Sequence, residues 1–187
     1  MLVAFNDTNL GFHLIETSQI VKIVEDATSG DIVVQLEGSK KLEPTDTLDD
    51  IFDQQAVDNH HLGMILVTNA KTGNREIRFV ERLLMIVAQV GGGSKVVSRK
   101  TKDALTVTES VATILAYQGA TQNLGFVSAT VSLNGQTHVH LFVDKTIERI
   151  LPSIPSNPAS TAIIHLENSA AYPVLQTVAA LYAAQPA

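Results

Sequence analysis

Three runs of this chain say nearly the same thing. "LIETSQIVKIV" (Leu14–Val24), "FVERLLMIVA" (Phe79–Ala88) and "LFVDKTIERIL" (Leu141–Leu151) each set two apolar residues before an acid. A short polar or mixed step and a second apolar run follow. A chain that repeats itself at this spacing repeats a supersecondary unit, and that limits the folds open to it more than any composition does. With the acids as anchors, Glu16, Glu81 and Asp144 correspond at steps of 65 and 63 residues.

Other blocks keep the same order. "IVVQLEGS" (Ile32–Ser39) matches "AIIHLENS" (Ala162–Ser169) at a shift of 130, and "KVVSRKTK" (Lys95–Lys102) supplies the middle copy at a shift of 63. "PTDTLDDIFDQQ" (Pro44–Gln55), "VTESVATILAYQ" (Val107–Gln118) and "VLQTVAALYAAQ" (Val174–Gln185) align under the same shifts, down to the closing Gln55, Gln118 and Gln185.

Each copy predicts two hairpins and a helix. Alternating strands flank "NDTNLG", "AKTGN" and Asn134-Gly135, and the last of these is a strong two-residue hairpin signal because both residues accept positive φ. A second hairpin turns at "ATSG" and at "GGGS", while the third copy carries the Pro-rich "PSIPSNPAS", which belongs outside any ladder. The helix follows from Leu48, Ile51 and Phe52 at i, i+3 and i+4, with Thr or Asp to cap it. "KTIERILPS" reads as strand or helix. The expected architecture is α+β and β-rich. It comprises three tandem ββββα modules of about 63 residues, 1–59, 60–122 and 123–187, packed edge to edge in one compact pseudo-threefold body.

Composition narrows the function. A net charge of −6 on 187 residues argues against general binding to phosphate backbones. The absence of cysteine removes disulfides, thiolate metal sites and cysteine nucleophiles. No apolar run is long enough to span a membrane, and "MLVAFNDTN" lacks the basic region of a signal peptide. The expectation is a protein made and used in a cytoplasm, or assembled there into something larger.

The candidate sites are few. Glu16, Glu81 and Asp144 could converge on an axis around a hard cation, or pair with Lys or Arg of a neighbouring module, as Arg82 and Lys145 suggest. His138 and His140 share one strand face but lack a third ligand, and His60-His61 sits in a linker. "VGGGS" lacks the Lys-Ser/Thr ending of a phosphate loop. The carboxylates Asp46, Asp49, Asp50, Asp53 and Asp58 read as a solvated helix face or a dock for a basic partner. Lys95, Arg99, Lys100 and Lys102 form the one basic concentration, at a strand where the other copies carry Gln35/Glu37 and His165/Glu167. They mark an interaction face or a guarded edge strand. No catalytic set, cofactor or metal is assigned.

What the copies keep is packing, which points to a structural, non-enzymatic role. With its strands "FVSATVSLNGQTHVHLFV" and "ASTAIIHLENS", no Cys or Trp, and three copies, the chain resembles in type the small accessory structural proteins of tailed-phage particles, capsid decoration or cement proteins and small tail components. That resemblance implies a place in a virion or, during assembly, in the host cytoplasm. It also implies a protein lattice such as a major capsid or tail protein as partner, with self-association open. Neither a membrane nor nucleic acid is expected as partner. The competing expectation is a ligand-binding or metal-binding module, or a diverged enzyme, with a site between repeats near His138, His140 and Glu81.

Overall fold

Strands form where Val, Ile, Leu and Thr concentrate, and the chain reverses where Gly, Asn or Asp interrupts them. The structure is a computed structural model, and it describes residues 2–7, 11–54, 56–57, 60–61, 63–101, 103–116, 125–133, 136–153 and 161–184. The first stretch runs β1 (Leu2–Asp7), β2 (Gly11–Glu16), a 3-10 turn at Thr17–Gln19, β3 (Ile20–Glu25), β4 (Ile32–Leu36), β5 (Lys41–Leu42) and α1 (Leu48–Asp53). A two-residue hairpin, β6 (Ala56–Val57) and β7 (His60–His61), leads on. Then come β8 (Met64–Thr68), β9 (Arg75–Phe79), a 3-10 turn at Val80–Arg82, β10 (Leu83–Ala88), β11 (Ser94–Ser98), β12 (Ala104–Val107) and α2 (Val111–Ala116). The last stretch has β13 (Phe126–Leu133), β14 (Gln136–Val143), a 3-10 turn at Asp144–Thr146, β15 (Ile147–Pro152), β16 (Ala162–Leu166), β17 (Ala171–Val174) and α3 (Val178–Ala183).

Among the described residues the protein is therefore β-rich with three short helices and several sheets, in keeping with an α+β class. Two local expectations change. A short strand (β5, β12, β17) precedes each helix, and each helix is only six residues long. The cause lies in "PTDT", "TVTES" and "YPVLQT": their Pro and Thr residues hold the backbone extended up to the capping hydroxyl. Thr47 and Thr177 accept from the backbone N–H of Asp50 (3.1 Å) and Ala180 (3.2 Å), and Ser110 does the same for Thr113 (3.1 Å). "KTIERILPS" resolves into the end of a 3-10 turn and then β15, which pairs with β16. Asn134-Gly135, Gln55, Gln118, Gln185, most of the Pro-rich loop and the side chains of His60 and His61 lie outside the described residues.

Two devices fix the strand geometry. The third strand of each stretch opens with a one-residue register shift, between Ile20 and Lys22, Leu83 and Met85, and Ile147 and Arg149. Such bulges bend a strand sharply just where it leaves the 3-10 turn. The residue before each helix cap also grips the first strand. Asp46, Glu109 and Gln176 accept from the backbone N–H of Asn6 (2.6 Å), Thr68 (2.8 Å) and Thr130 (2.9 Å). In the "GGGS" turn Gly93 has φ +72°, and a Cβ there would meet the Val107 carbonyl oxygen at 2.4 Å, so only glycine fits.

The stretches are sewn together at strand edges. A five-stranded sheet has the order β5-β4-β3-β9-β8, and an eight-stranded sheet the order β12-β11-β10-β14-β13-β17-β16-β15. Thus β3 pairs with β9 and β10 with β14, at Ile23 opposite Ile77 and Ile86 opposite Leu141. The cores follow the same plan. Met64, Ile77 and Phe79 fill the cluster around Ile20, Ile23, Ile51 and Phe52, and Phe126, Leu141 and Val143 fill that around Ile86, Val111 and Ile114. A third cluster joins Leu84 and Met85 to Phe142, Ile150, Ile164 and Leu181. No ladder joins β2 to β15 among the described residues.

Candidate functional site

The 3-10 turns put one charged feature together. A cleft of about 900 Å³ is lined by Ser18, Glu81, Arg82 and Lys145 from all three turns, and by Glu37, Arg99, Lys100 and Glu167 from the tips beyond the fourth strands. Its rim holds six basic side chains against four acidic ones, the rest of the set being Lys22, Arg78 and Asp103, so its local balance opposes that of the chain.

Most of these charges are spoken for. Glu37 accepts from Arg82 Nη1 at 2.7 Å and Lys100 Nζ at 2.9 Å, while Arg82 Nη2 also donates to the Ser18 carbonyl. Those contacts, first the Arg82 hydrogen bond and then Lys100, hold the Glu37 carboxyl below its ordinary range. Arg99 grips Glu167 with Nε and Nη2, each at 2.6 Å, and this fork keeps the guanidinium proton more firmly than usual. At the outer side of the first junction Arg75 pairs with Glu25 at 3.1 Å and with Asp49 of α1. Beneath it the buried Glu76 carboxylate lies 3.5 Å from Lys22 Nζ and accepts from Arg78 Nε at 2.8 Å. A buried carboxylate needs such partners, and here one of them comes from the preceding stretch.

The sequence-selected residues fare differently. Lys100 and Arg99 tie the second stretch to the first and third, so two of the four basic residues are engaged inside the protein. Lys95 is exposed on β11, and Lys102 lies outside the described residues. The three acids gather at the same turn but at different steps of it. Glu16 is the residue before the turn, Glu81 its middle residue and Asp144 its first. They therefore do not share one direction, and among the described residues no group of three His, Asp or Glu side chains could hold a metal. Within the acidic helix segment Asp46 holds the first strand at Asn6, Asp50 bonds the Thr47 cap and Asp49 pairs with Arg75, while Asp58 lies outside the described residues.

His140 is buried, 5.8 Å from both the Phe142 and Tyr172 rings, and its Nδ1 has no hydrogen-bond partner. Burial, with a smaller push from His138, brings its pKa down to about 4, so it is a neutral packing residue at pH 7. Sequence reading passed over Arg75 and Glu76, and it offered Arg82 as a partner for the repeated acids, whereas the structure pairs it with Glu37. A signal for the first network was present, since Glu37, Arg99 and Glu167 follow equivalent strands with opposite charges. Comparison with known proteins found no matching family model, curated protein or solved structure.

Proposed function

We propose that this is a non-enzymatic structural protein of three tandem modules set about a common axis. In this reading it is an accessory virion component, of the decoration or cement type, that binds a protein lattice such as a major capsid or tail protein. The observation that carries the reading is what recurs: the strand–turn–bulge step, the clamp onto the helix cap, and the edge junction with Ile23 or Ile86 at its centre. Polar side chains at the same steps differ from copy to copy and are consumed in joining the modules. A module of this kind, with a fifth short strand added to the expected four, supports a scaffold better than a reaction centre. The cleft lined by all three turns supports the common axis.

The test is a reconstruction of particles carrying the protein, together with native mass spectrometry of what it purifies with. Ordered density seated at repeating lattice positions is the expected result. A monodisperse chain that binds no lattice and turns over a substrate, or holds a small ligand in the cleft, would defeat it.

A further inference from the structure

We infer that the protein joins a second copy of itself head to tail, β2 of one chain pairing with β15 of the next, an inference that rests on the three-module reading above. Counting back from each 3-10 turn, Leu14, Ile77 and Leu141 occupy the same step of the second strand. Ile77 and Leu141 are fully buried because β3 and β10 of the preceding stretches cover them. Among the described residues β2 pairs with β1 alone, and Leu14 is 59% exposed, with Phe12 beside it at 65%.

The opposite end shows the complementary gap. Ile150 is the fourth residue of β15, as Ile23 and Ile86 are of β3 and β10, and β15 ends the eight-stranded sheet with no strand beyond it among the described residues. In the helices, Phe52 is 4% exposed in a cluster completed by the next hairpin, whereas Tyr182 at the same helical step is 54% exposed. The described residues thus hold two finished junctions and the two unlike halves of a third. Joining unlike halves is a heterologous contact, which closes a ring or extends a filament according to its rotation. Carrying over the internal register sets Leu14 opposite Ile150, and His13 opposite Leu151, as Glu76 is opposite Val24. The external contact is weaker than the internal ones, since Glu16 takes the step of Phe79 and Gln19 that of Arg82. Reversible, concentration-dependent association follows.

Sedimentation velocity and native mass spectrometry of the full chain over a concentration series test it. Whole-chain multimers in equilibrium with monomer are expected. Leu14→Arg and Tyr182→Arg alter exposed side chains and leave the circular dichroism unchanged; each variant alone stays monomeric, and a mixture of the two gives one-to-one dimers that grow no further. A His13→Cys/Leu151→Cys chain, which otherwise has no cysteine, gives a ladder of covalent multimers on oxidation. A wild-type chain monomeric at every concentration, a Leu14→Arg chain that still associates, or a cross-link confined to single chains overturns the inference. Lattice binding by a chain that never self-associates sinks this inference and spares the structural role; self-association without lattice binding supports it and removes that role.

Discussion

Ile77 and Leu14 offer a controlled pair, because they hold the same step of equivalent strands and differ in what covers them. Ile77 is fully buried in a cluster most of whose members, Ile20, Ile23, Leu48, Ile51 and Phe52 among them, belong to the preceding stretch. Ile77→Ala removes three carbons, each worth about 0.8 kcal/mol on transfer. A cavity penalty adds to this because close-packed neighbours relax only in part, giving about 3–4 kcal/mol in all. Leu14→Ala removes the same number of carbons from a side chain that is 59% exposed, so in the monomer its cost is about 0.5 kcal/mol. Guanidinium unfolding followed by circular dichroism, at concentrations low enough to keep the chain monomeric, reads both. Unchanged m-values would show that the native state, not its extent, has been altered. Ile77→Ala lowers stability by removing packing from the first stretch, although it belongs to the first hairpin of the next. Equal costs at the two positions, or a loss below 1 kcal/mol at Ile77, would refute the view that each core is finished by the hairpin that follows it.

His140 gives a pH signature. The folded protein holds it neutral with a pKa of about 4, while the unfolded chain takes up the proton from about pH 6.5 downward, so this contribution is present above pH 6.5 and is lost as pH falls toward 4. The loss is at most about 3 kcal/mol; His140→Phe should flatten that slope, and a resonance assigned to His140 by its disappearance in that variant, if it titrated near pH 6.5 in the folded protein, would contradict the placement. Thr47→Ala removes a reciprocal cap, in which Thr47 Oγ1 also donates to Asp50 Oδ2 at 2.6 Å, and should cost about 1 kcal/mol by thermal melting. Thr177→Ala should cost less, because Ala180 stands where Asp50 returns the bond. Amide exchange should run faster in β15 and α3 than in β3 and α1, whose cluster is covered by β8 and β9; slower exchange in β15 would speak against an open end there.

Apolar spacing made the strands and the helix stripe legible, since Leu48, Ile51 and Phe52 could be buried together only on one face of a helix. The acids misled, because an acid beside a turn is held in place only by solvent and local charge. Glu16, Glu81 and Asp144 can each sit a step apart while the apolar residues around them keep register. The bulges were invisible for a related reason: an extra residue in a strand is a backbone event that any side chain tolerates. The charge network was half visible. The basic run at Lys95–Lys102 stood out, but its partners Glu37 and Glu167 lie on other stretches, and linear spacing does not reveal which tips meet.

Repeat arrays usually seal their ends with polar faces, because an unsealed end offers an apolar surface and an open strand edge. Here the unpaired edges of β2 and β15 are sealed by halves. β15 presents Glu148, Arg149 and Pro152, and β2 ends on Glu16, which are devices that discourage indiscriminate pairing. Yet Leu14 and Phe12 at one end, and Leu151 and Tyr182 at the other, remain exposed where a full seal would have placed charge. A second copy buries those side chains in the register already used twice within the chain, while setting Glu16 opposite Glu148, a like-charged pair that weakens the contact. The partial seal therefore limits affinity, and it is this limit that keeps the inferred self-association reversible.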